Sequence, residues 1–91
     1  MSIKIKIPEF LQGKTDGRSL IDVTGNTLRE CFVALVHRYP ALQGEIVDGQ
    51  GMLLFKWLIF INNKLVIASD ELSDPVKDGD VILLVPMVEG G

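Results

Sequence analysis

Ile3, Ile5 and Ile7 alternate with Lys4 and Lys6 and stop at Pro8. Strict period two of this kind predicts a half-buried strand with lysines on its outer face. Residues 12–17 read as a turn, because they contain Gly13, Asp16 and Gly17. Residues 18–23 supply a weaker second strand through Leu20, Ile21 and Val23, so the first 23 residues predict a hairpin. After Thr24-Gly25-Asn26, the run Thr27-Leu28-Arg29-Glu30 matches a Thr-x-x-Glu capping box. Apolar residues at 28, 31, 32, 35, 36 and 39 then line one face of a helix over residues 27–39, which Pro40 ends. Residues 41–53 are irregular, with Gly44, Gly49 and Gly51. A long apolar run follows, Leu53-Leu54-Phe55 and then residues 57–61, closed by Asn62-Asn63. Asparagine tolerates left-handed backbone, so that pair predicts a tight turn. Residues 65–67 form a short strand and residues 72–77 a connection. Asp78-Gly79-Asp80 then turns into a last apolar strand at 81–85.

Strand, strand, helix, strand, short strand, strand is the order of an α+β domain. With the first and last strands parallel at the sheet centre, it becomes the β-grasp arrangement of ubiquitin. The expected architecture is a mixed sheet of four to five strands with one helix packed on one face. One helix cannot cover both faces, and an open face should alternate to polar residues. The stretches 57–61 and 81–85 are apolar at every position instead. The open face is therefore expected to carry an apolar patch, which on a water-facing surface marks a partner site.

Composition narrows the chemistry. Ninety-one residues with 47% hydrophobic content predict one domain over 1–91 with its own core, ending in a flexible tail at about 87–91. A single cysteine, Cys31, forms no internal disulfide and fits a reducing, cytoplasmic setting. Cys31 lies on the apolar helix face, so it reads as a core residue. His37 falls opposite most of that face and reads as solvated. Asp78 and Asp80 read as turn formers, Lys4 and Lys6 as a solvated strand face and Trp57 as a core side chain. One Cys and one His assemble neither a metal cluster nor a nucleophile–base pair, so no metal, catalytic residue or bound cofactor is expected, and the chain does not read as an enzyme. A net charge of −3 and an isoelectric point near 4.9 argue against nucleic acid. No apolar stretch reaches membrane-spanning length, and residues 1–4 lack a signal-peptide core.

The last strand runs through Met87-Val88-Glu89 into Gly90-Gly91. Two residues without Cβ can thread a narrow channel and place a carboxylate beside another protein's reactive atoms. In sequence order, the opening strand to Pro8, Gly25-Asn26-Thr27-Leu28 and Tyr39-Pro40 are followed by Ile59-Phe60-Ile61-Asn62, Asp78-Gly79-Asp80, Val85-Pro86 and Gly90-Gly91. Together they resemble the ThiS/MoaD family of ubiquitin-like sulfur carriers over nearly the whole chain. The resemblance implies that an E1-like enzyme adenylates the Gly91 carboxylate with ATP. A sulfur donor then makes the thiocarboxylate, which serves a sulfur-accepting synthase subunit in molybdopterin or cysteine-type biosynthesis. It implies that Gly90 threads the partner site and that Val85 and Leu65 are docking residues. Glu89 stands where a small residue is more usual, and Asn63 where glycine commonly follows the asparagine. Two other readings stay open: a modifier joined to lysines through Gly91, and a β-grasp interaction module without tail chemistry.

Overall fold

The computed structural model describes residues 2–50, 54, 57–67 and 72–87. Alternation builds the first hairpin. In β1 (Ile3–Lys6) the isoleucines are buried and the lysines exposed, and in β2 (Leu20–Val23) Ile21 and Val23 point inward with them. The two pair antiparallel, Ile3 opposite Val23 and Ile5 opposite Ile21. Between them, residues Glu9–Lys14 form a 3-10 helix where the sequence had suggested only a turn from residue 12. Its buried Leu11 is a lone inward residue with no period to announce it.

Helix α1 (Leu28–Arg38) begins as its capping signature predicts, with a shift of one residue. Thr27 Oγ1 accepts the Glu30 N–H at 3.2 Å, but Glu30 Oε1 accepts from the Asn26 N–H at 2.9 Å, one residue before the cap. The first helical N–H groups, which have no partner within a helix, are met from outside. Leu28 donates to the Asp74 carbonyl and Arg29 to the Leu72 carbonyl, while Val76 donates back to the Asn26 carbonyl. The 72–77 connection is thus the helix's outer cap. His37 and Arg38 in the last turn suit the negative end of the helix dipole.

After the helix come β3 (Trp57–Ile61), β4 (Lys64–Val66) and β5 (Val81–Pro86). The five strands lie in the order β2-β1-β5-β3-β4. β1 and β5 are parallel at the centre, with Ile5 beside Ile82, and the other pairs are antiparallel. This is the expected ubiquitin-like β-grasp, with five strands and one helix on one face. Leu28, Cys31, Phe32 and Leu35 of the helix close over Ile3, Ile5, Ile21, Ile59, Ile82 and Leu84 in one core. Tyr39 is buried and Val36 only partly so.

The stretch read as irregular contributes more than expected. Pro40–Leu42 is a 3-10 turn, and Leu42, Ile46 and Val47 are buried. Their backbone also secures the start of β3: the Leu54 N–H donates to the Ile46 carbonyl, and the Trp57 indole N–H donates to the Glu45 carbonyl at 2.8 Å. The strand expected over 65–67 runs one residue earlier, which leaves Ile67 93% exposed. Gly51, Leu53 and Phe55 lie outside the described residues.

Among the described residues, one glycine is required by space. A Cβ on Gly25 would sit 2.9 Å from the Glu30 Cβ, 3.0 Å from the Cys31 nitrogen and 3.1 Å from Cys31 Sγ. The loop before the helix passes too close to its first turn for a side chain. Gly25→Ala is expected to cost about 1–3 kcal/mol, read as a lower urea midpoint; an unchanged midpoint would show that the loop yields freely.

Candidate functional site

The sheet face away from the helix is assembled by register. Ile82 and Leu84 point into the core, so Val81, Leu83 and Val85 point out. Trp57 and Ile59 point in, so Leu58 and Phe60 point out. Pairing then aligns one row across the whole sheet: Leu20, Lys6, Leu83, Phe60 and Leu65. A second cross-strand pair, Leu58 with Val85, lies next to it towards the end of β5. Leu58, Phe60, Leu83 and Val85 are half-buried against one another, while Leu20 and Leu65 are 46% and 56% exposed. The continuous apolar runs thus serve two faces, one in the core and one open. Val85 and Leu65 sit on this face, diagonal to each other. Leu58, Phe60 and Leu83, which fill the ground between them, were not singled out from sequence, although every second position of the two runs carried the signal.

Three acid or amide side chains set where β5 begins, and hence where it ends. Asn62 and Asn63 both have left-handed backbone, φ 52° and 69°, forming the predicted tight turn between β3 and β4. From that turn Asn62 Nδ2 donates to Asp80 Oδ1 at 2.9 Å, and Asn62 Oδ1 accepts the Val81 N–H at 3.0 Å. Asp80, only 5% exposed, also accepts the Lys77 N–H through Oδ2 at 3.0 Å. On the β1 side, Asp78 accepts the Ser2 N–H at 2.6 Å, and the Gly79 N–H donates to the Ser2 carbonyl. Gly79 has φ +90°, a backbone that disfavours any side chain. The acid pair is structural, as its turn context suggested. Clamped from both neighbours, β5 carries Val85 onto the apolar face and ends at Pro86, with an exposed Met87 next in the chain. Gly90 and Gly91 lie outside the described residues.

Charge on the open face is unevenly matched. Lys4 Nζ lies 2.8 Å from Asp22 Oδ1 across the first hairpin. Its hydrogen bond, with help from the Ser2 hydroxyl, holds the Asp22 carboxyl below the usual carboxylate range. Lys6 makes no such ion pair among the described residues. Cys31 is fully buried, and burial pushes its thiol up to about 11, with Glu30 and Asp80 adding to the rise. It is a protonated core thiol at neutral pH. A separate cavity of about 340 Å³ lies between α1 and the 43–50 loop, lined by Arg29, Val33, Val36 and an exposed His37 among others. Among the described residues no group of three or more His, Cys, Asp or Glu is placed to hold a metal ion. None of the described helices is long and apolar enough to cross a membrane.

A helix-backed mixed sheet with a parallel central pair and an apolar open face defines a ubiquitin-like β-grasp protein. The chain belongs to the ThiS family, whose sequence model matches residues 5–91. It is 28% identical over 93 residues to the sulfur carrier protein CysO of Mycobacterium tuberculosis, with both chains covered in full. In structure it resembles one chain of the Amycolatopsis orientalis BexX/CysO complex with a TM-score of 0.83 at 26% identity, covering 98% of this chain and 99% of that one. It also resembles small archaeal modifier protein 1 of Methanosarcina acetivorans, with a TM-score of 0.82 at 25% identity over 99% and 96% of the two chains.

Two outcomes check this geometry. Val85→Glu should leave the urea midpoint nearly unchanged, because the new carboxylate stays in water, whereas Leu84→Glu should unfold the domain; loss of folded circular dichroism in Val85→Glu would put Val85 in the core. For Asp22, the folded pKa lies below the unfolded one. Its contribution to stability is therefore present above the unfolded value and lost as pH falls through the folded value. Lys4→Met should raise the Asp22 midpoint in a carboxyl NMR titration towards its ordinary 3.8; an unmoved midpoint would remove Lys4 as the cause.

Proposed function

We propose that this chain is a sulfur carrier that works through the carboxylate of Gly91. A carboxylate is a poor electrophile, so an E1-like enzyme first adenylates it: a Gly91 oxygen attacks the α-phosphorus of ATP and pyrophosphate leaves. Sulfur delivered at the oxidation level of hydrosulfide then attacks the carbonyl carbon, AMP departs, and loss of the S–H proton leaves a thiocarboxylate. That sulfur is a good nucleophile near neutral pH, and a sulfur-accepting synthase subunit consumes it. The carrier itself supplies the acyl group, a tail thin enough at Gly90 to thread the partner site, and the open face as a dock through Val85 and Leu65. ATP belongs to the activating partner, and this chain holds no cofactor of its own. The reading places the protein in the cytoplasm, with protein partners and neither membrane nor nucleic acid.

The observation that carries the proposal is the clamped β5, which starts at Asp78-Gly79-Asp80 and reaches the rim of an apolar face with the tail next in sequence. Family membership through residue 91 supports it. Among the sulfur pathways, relatives named sulfur carrier protein CysO favour a cysteine-type acceptor over molybdopterin. A second reading, conjugation of Gly91 to lysines, draws support from the likeness to small archaeal modifier protein 1.

Deleting Gly91 should abolish sulfur transfer and leave the thermal melt unchanged; full activity of the shortened chain would end the carrier proposal. Intact mass of the protein from its own host separates the two tail chemistries. One sulfur in place of one oxygen at Gly91 supports the carrier, and a branched lysine peptide supports the modifier.

A further inference from the structure

Lys6 occupies an unusual place on the open face. In the central row its neighbours are Leu20 on one side and Leu83 on the other, and Phe60 and Leu65 continue the row. It also lines a cavity of about 310 Å³ whose other walls are Val81, Leu83, Asn62 and Asn63. Lys4, two residues earlier on the same face, is paired with Asp22 at 2.8 Å. Lys6 has no carboxylate partner among the described residues, in a chain whose net charge is −3. A lone cation in the middle of an apolar row costs little while water covers it. A partner that covers the row removes that water, and an unpaired buried charge is then expensive.

We infer that the protein docking on this face presents an aspartate or glutamate side chain to Lys6. The carboxylate enters the cavity between Leu83 and the Asn62-Asn63 turn and pairs with the Lys6 ammonium. Apolar surface on the partner covers Phe60, Leu83 and Leu65 around it. Such a rim excludes water and strengthens the pair. It also gives an otherwise featureless hydrophobic contact a single register, because any shifted docking strands the charge. Lys4 cannot take this role without giving up Asp22. The inference rests on the carrier proposal for the identity of the partner, and adds the chemistry by which that partner is selected.

The test is calorimetric titration of the full chain with the adenylating enzyme of its own source organism. Lys6→Gln should weaken binding about tenfold or more, Lys6→Glu further, and Lys6→Arg little. The affinity of the wild type should fall with added salt, and Lys6→Gln should lose most of that dependence. Zero-length carbodiimide coupling of the complex should join Lys6 to an aspartate or glutamate of the enzyme. Unchanged melting temperatures keep these results separate from misfolding. Wild-type affinity in Lys6→Gln, alongside weak binding by Phe60→Ser, would overturn the inference and leave the carrier reading standing. An enzyme that does not bind the wild type at all would overturn the carrier reading and the inference with it. Sedimentation of the isolated chain as a dimer that Phe60→Ser disperses would assign the face to a second copy and also overturn the inference.

Discussion

A single helix can bury one face of a five-stranded sheet and no more, and the rest of this molecule follows from that limit. Leu28, Cys31, Phe32 and Leu35 close the inner face over Ile3, Ile5, Ile21, Ile59, Ile82 and Leu84. The inner core therefore explains half of the apolar residues in β3 and β5. Of the outward half, Leu58, Phe60, Leu83 and Val85 gain only partial burial from lateral contact on the open face, and Val81 stays exposed. Folding alone does not require apolar residues there, since an open antiparallel face is ordinarily polar. Their presence makes docking the most economical explanation of the face, and the anchored exit of β5 beside them ties that face to the tail.

The central parallel pair imposes a second constraint. Parallel neighbours need a long crossover, and here everything between β1 and β5 supplies it, so residues near the two ends of the described chain meet. The Ser2–Asp78 hydrogen bond spans 76 positions. Such a junction has little local guidance, and the structure reinforces it from both flanks. Ser2 and Lys4 bind the 78–80 turn from one side, and Asn62 binds Asp80 and Val81 from the other. The buried Asp80 is tolerated because its two oxygens are met by an amide and a backbone N–H. A one-residue slip of β5 would exchange its two faces, placing Leu83 and Val85 in the core and Ile82 and Leu84 outside.

Much of this was legible because it rests on local physics. The helix carried a capping box, a periodic face and a terminating proline. The turn at Asn62-Asn63 carried the residues that left-handed backbone favours. The 3-10 helix at Glu9–Lys14 was not legible, since Leu11 alone is buried there. Nor was the burial of Leu42, Ile46 and Val47, which have no period and sit in a segment that hydrogen-bonds to the residues at and before the start of β3. Within the candidate site, Val85 and Leu65 came from resemblance to a family. Leu58, Phe60 and Leu83 needed the observed register before they could be placed beside them.

By itself the sequence determined the element order, the inward face of the helix, the surplus of apolar residues over what one helix can cover, and the Gly90-Gly91 tail. These depend on neighbours three or four positions apart, or on residue chemistry alone. Tertiary structure decided which outward residues share a row, that Asp78 and Asp80 clamp different neighbours, and that Lys4 is paired while Lys6 has no ion-pair partner among the described residues. Those facts depend on strands distant in the chain meeting in one register, and no local pattern encodes a register between β1 and β5.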